Sequence, residues 1–84
     1  MDTRVGKVTH FFNKISVAVL ELDGELIIGD RICILGRITD FEQPVGSMEI
    51  DHQPVFTVHA GQEVAIKVLM PARAGDIVYS ISQE

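Results

Sequence analysis

The chain has 84 residues, with 7 basic and 12 acidic side chains giving a formal charge of −5. That length allows one domain with one modest core, and the negative balance argues against broad attraction to phosphate backbones. At 46% hydrophobic and 23% charged residues, the composition is globular rather than disordered.

No apolar run approaches the roughly 18 residues of a membrane span. The start, Met1-Asp2-Thr3-Arg4-Val5, has no apolar signal segment, so a cytoplasmic setting is expected. Cys33, the single cysteine, lies in the apolar run Ile32-Cys33-Ile34-Leu35 and reads as a buried, inert thiol in a reducing compartment.

In chain order, Arg4 to Phe12 is the first predicted strand, and Asn13-Lys14 a tight turn in which Asn takes positive φ. Ile15 to Leu22 is the strongest strand, rich in β-branched residues. Asp23-Gly24 signals a type I′ hairpin. A short strand over Glu25 to Ile28 follows, then a turn at Gly29-Asp30 and a strand from Arg31 to Leu35, closed by Gly36. Thr39 to Ile50 contains Pro44 and Gly46, which imply an edge, a bulge or a break. Pro54-Val55-Phe56 reads as a connector with an apolar plug. Gly61 lies in the turn Ala60-Gly61-Gln62, and Val64, Ile66 and Val68 alternate through the strand Glu63 to Leu69. A turn ending in Gly75-Asp76 feeds the last strand, Ile77 to Ile81.

Short, even strands with hairpin turns favour an all-β fold: a small closed or nearly closed antiparallel β-barrel of six or seven strands, with a sandwich as the alternative. Residues 1–84 are expected to form a single domain with its core over about 5–81. Gly29-Asp30 and Gly75-Asp76 each combine backbone freedom at Gly with a local acceptor at Asp, and read as two similar corners rather than a duplication.

The chemistry-bearing residues form no enzyme signature. His10, His52 and His59 match no zinc spacing, even with Glu49 or Asp51 added, so no metal site is expected. No serine sits in a Gly-x-Ser-x-Gly elbow, and no Gly-rich loop has phosphate-binding spacing, so neither a cofactor nor a bound nucleotide is expected. The carboxylates near Asp23 and Glu49 fall at turns, where a cleft is hard to build in so small a chain. No catalytic residue is assigned. The adjacent rings of Phe11 and Phe12 point to opposite strand faces, which leaves one for a rim or a contact. His10, Phe12, Lys14, His52 and Phe56 form the candidate binding surface.

Val5-Gly6-Lys7-Val8-Thr9-His10-Phe11, Val17 to Leu22, and Gly24 to Gly36 together resemble the second, β-barrel domain of translational GTPases such as bacterial elongation factor Tu. Val45 to Ile50, Ala60 to Ile66 and Gly75 to Val78 extend the resemblance, closest to small stand-alone elongation factor-like proteins. The sequence is similar also to the C-terminal barrel of a collagenase-like peptidase family, notably in Phe41 to Met48 and Pro71 to Asp76. The first resemblance implies a non-catalytic module of protein biosynthesis, contacting RNA (tRNA or the ribosome) or a translation factor, without GTPase activity. The second implies that catalytic work belongs to another domain, and the alternative function is a protein-interaction or accessory barrel for a separately encoded enzyme. Neither implies a membrane partner, and both leave the oligomeric state open.

Overall fold

A computed structural model describes residues 2–81. The described chain is all-β and antiparallel. Its strands are β1 (Asp2–Phe12), β2 (Val17–Leu22), β3 (Leu26–Ile27), β4 (Arg31–Leu35), β5 (Asp40–Pro44), β6 (Met48–Ile50), β7 (Gln53–Pro54), β8 (Thr57–Val58), β9 (Glu63–Lys67) and β10 (Ile77–Ile81). Eight of them pair in the order β5-β4-β10-β1-β2-β9-β6-β7, and β3 pairs with β8 separately. Among the described residues no helix is long and apolar enough to cross a membrane.

Alternation selects the core. Along β2, Ala18, Leu20 and Leu22 are buried, while Val17, Val19 and Glu21 face outward. The same period places Val64 and Ile66 of β9, and Ile32 and Ile34 of β4, in one cluster with Val5, Val8, Met48 and Val78. Leu26 and Val58, paired across the small sheet, join that cluster. Burying an aliphatic side chain of this size contributes about 1.5–3 kcal/mol.

The expected closed or nearly closed barrel of six or seven strands is, among the described residues, an eight-stranded sheet that no ladder closes, with a two-stranded annex. The curl brings β5 back beside residues 67–69, but no ladder joins them. The link is the side chain of Gln43, which is 2% exposed. Its Nε2 donates to Lys67 O at 2.9 Å, and its Oε1 accepts from Leu69 N at 2.7 Å. One amide thus satisfies a donor and an acceptor where strand pairing stops.

Three corners share one geometry. Gly29, Gly61 and Gly75 have φ of 95°, 90° and 97°. Asp30 N, Gln62 N and Asp76 N donate to the carbonyls of Ile27, His59 and Arg73, three residues back, as type II turns do. The side chains of Asp30, Gln62 and Asp76 accept in return from Ile27 N, His59 N and Arg73 N at 2.8–3.0 Å. Each corner then exchanges two backbone hydrogen bonds with one buried residue: Val45, Leu22 and Val8 respectively. The motif therefore occurs three times, with Gln replacing Asp in the middle copy.

Several local expectations change. Neither Asp23 nor Gly24 has positive φ, so no type I′ turn forms there; both N–H groups donate to Val5 O instead. The two-residue type I′ geometry lies at Asp51 (φ 51°) and His52 (φ 64°), between the paired residues Ile50 and Gln53. In the β1–β2 turn the positive φ belongs to Ser16, not Asn13. The strand expected over Glu25 to Ile28 shortens to Leu26–Ile27. Phe56 is 78% exposed and is no plug; Val55 packs against the core in its place.

Candidate interaction surface

The β1–β2 turn divides two grooves. The first, of about 820 Å³, takes His10, Phe11 and Ser16 from the turn side, Phe41 from β5, and Ile38, Leu69 and Met70 from the loops after β4 and β9. Ile38, Leu69 and Met70 are 71%, 73% and 54% exposed. Three large apolar side chains at one place form a patch, unlike isolated surface hydrophobes. Arg73 lines this groove, and Arg37 and Arg73 line an adjoining one of about 620 Å³ that shares Ile38.

The second groove, of about 480 Å³, lies on the outer sheet face and includes Phe12, Ile15, Val17, Val19, Ile50 and Ala65. Glu49, Asp51, Glu63, His52 and Val64 complete its lining. The His52 backbone conformation is set by the type I′ turn.

The structure places three of the five candidate residues in the two grooves. Phe12 and His52 share the second groove, whereas His10 lines the first. The His10 and Phe12 rings meet across the divide at a tilt of 50°, with centroids 4.4 Å apart. Lys14 and Phe56 line neither groove. Phe56 O accepts from Ile28 N beside the small sheet. Ile38, Leu69 and Met70 were missed by sequence reading. Leu69 reads as the end of an alternating strand, and nothing local shows that it leaves the ladder after Lys67.

No group of three or more metal-ligating side chains converges among the described residues. Burial pushes the Cys33 thiol above its ordinary pKa range, and the carboxylates of Asp40, Glu42 and Asp2 push it the same way. His59 Nδ1 lies 3.3 Å from a Glu25 carboxylate oxygen, with both side chains exposed.

No family model matches the sequence. In fold the chain is similar to crystal structures of the C-terminal domain of a Geobacillus thermoleovorans protein assigned to the U32 peptidases. One has a TM-score of 0.87 at 18% identity, covering 93% of this chain and 91% of that one. Its selenomethionine variant has a TM-score of 0.84 at 20% identity, covering 89% and 95%. In sequence the chain is 40% identical over 80 residues to an uncharacterized protease of Methanocaldococcus jannaschii. The match takes in 94% of this chain but only 20% of that protease, so the chain spans one fifth of its relative. These similarities overturn the assignment to protein biosynthesis and translation elongation: the matched proteins are a peptidase domain and a protease.

Proposed function

We propose that this chain is an accessory, non-catalytic β-domain that docks onto the catalytic part of a peptidase lying outside these 84 residues. The observation that carries the reading is the 40% identity over 80 residues with one fifth of a protease. A segment matched nearly end to end within a longer relative behaves as a unit, and most of that relative lies beyond it. The shared fold with a C-terminal domain supports a unit of this kind. In this reading residues 1–84 act as a single domain in the cytoplasm.

The docking face is the patch of Ile38, Leu69 and Met70. Their exposure leaves apolar area for a partner to cover, and Arg37, Arg73 and Asp40 beside it give the patch a charged rim of mixed sign. Capture from native extract with the tagged chain tests this. The expected catch is one large protein resembling the remaining part of the M. jannaschii protease, lost with Leu69→Glu or Met70→Glu. Hydrolysis of peptides by the purified chain alone, or a catch with no peptidase in it, would sink the proposal.

A further inference from the structure

The exposed face of an antiparallel sheet is ordinarily polar. Here the outward positions Phe12, Val17, Val19 and Ala65 place an apolar stripe across β1, β2 and β9, with Ile15 at its end. The carboxylates lining the groove are Glu49, Asp51 and Glu63, while Lys67, opposite Val17, and Lys7, opposite Glu21, lie just beyond it. Glu49 is directly opposite Ala65, and Glu63 directly opposite Glu21. Like charges facing each other across a ladder are unfavourable, and Lys7, opposite Glu21 on its other side, offsets part of that repulsion. None of Glu49, Asp51 and Glu63 is in a salt bridge among the described residues. No lysine or arginine lines the groove.

An apolar floor with an acidic rim complements a polypeptide whose apolar side chains alternate with cationic ones. It repels phosphate backbones and anionic lipid. We infer that this groove binds a Lys- or Arg-bearing apolar stretch of the polypeptide on which the peptidase acts. The identity of the bound chain as substrate rests on the accessory-domain reading; the groove's chemistry does not. Position argues for substrate over the enzyme's own surface. The β1–β2 turn presents Phe11 and Ser16 to the docking patch and Phe12 and Ile15 to the acidic groove, so a polypeptide held in the groove lies beside the docked enzyme.

The test uses a short labelled peptide alternating Val or Phe with Lys, and its counterpart with Glu for Lys, measured by fluorescence anisotropy with the purified chain. The Lys peptide binds in a salt-sensitive manner and the Glu peptide does not. Glu49→Lys with Glu63→Lys weakens binding by about tenfold or more, as does Phe12→Ser. Met70→Glu, which abolishes enzyme capture, leaves peptide affinity unchanged, so failure of the groove and failure of the docking reading are distinguishable. Equal binding of both peptides, no binding of either, or loss through Met70→Glu alone overturns the inference. Tighter salt-dependent binding of RNA than of the Lys peptide overturns it too, as does a dimer of this chain dissolved by Phe12→Ser.

Discussion

Gln43 is the residue on which the curl of the sheet depends most directly. Replacing it with Leu keeps approximate volume but removes both amide groups. Leu69 N–H and Lys67 C=O then lose partners now at 2.7 and 2.9 Å. A buried polar group left unsatisfied costs about 1–3 kcal/mol. Both bonds are only part-buried, so the lower half of that range applies to each, and Gln43→Leu is expected to cost about 2–4 kcal/mol. In a chain of this length that lowers Tm by roughly 10–25 °C.

Gln43→Glu separates the two bonds. Its carboxylate still accepts from Leu69 N but faces Lys67 O with no proton, which raises its folded pKa above the unfolded value. With a raised folded pKa, the stabilising protonated form is fully present below the unfolded pKa of about 4.3 and is lost as pH rises through the folded one. Gln43→Glu should therefore be strongly destabilised at neutral pH and regain stability relative to the parent on acidification. Urea unfolding by circular dichroism at both pH values measures this, and hydrogen exchange at Leu69 N–H reports the local bond. Near-parental stability of Gln43→Leu, or a Gln43→Glu deficit independent of pH, would refute the claim that this amide joins β5 to the end of β9.

Replacing Asp51-His52 by Asn-Gly relieves positive φ at two non-glycine positions, and should stabilise the chain by about 1 kcal/mol in urea titration. A loss of stability would show that these side chains contribute more than the turn. A Cβ at Gly36 would overlap the Asp76 carboxylate, which accepts from Arg73 N at 2.8 Å, so Gly36→Ala should cost about 1–3 kcal/mol by thermal melt. Cys33, whose folded pKa is raised, contributes stability below the unfolded thiol pKa of about 8.5 and loses it as pH rises through the folded value. The parent should lose stability over that range relative to Cys33→Ala, and iodoacetamide should label Cys33 only as the chain unfolds. Rapid labelling of the folded chain at neutral pH would contradict its burial.

The sequence by itself determined the all-β, antiparallel character and the alternation that fills the core. Side-chain period and Gly, Pro and Asp punctuation are local properties of the chain. It also marked two of the corners, because Gly-Asp joins positive φ to a nearby acceptor within one dipeptide. The third was harder to see, since Gln62 makes the same bond to His59 N with a longer side chain. Only the tertiary structure decided closure. Whether β5, paired with β4 on one side, meets the end of β9 on the other depends on how far the sheet curls, and that brought Gln43 to Lys67 and Leu69, 24 and 26 residues away. The surface was legible in part. Adjacent phenylalanines announced an outward ring at Phe12, but its grouping with Ile50, His52 and Ala65 depends on the order β1-β2-β9-β6. The patch of Ile38, Leu69 and Met70 is assembled from two loops far apart in sequence, and no local pattern encodes their meeting.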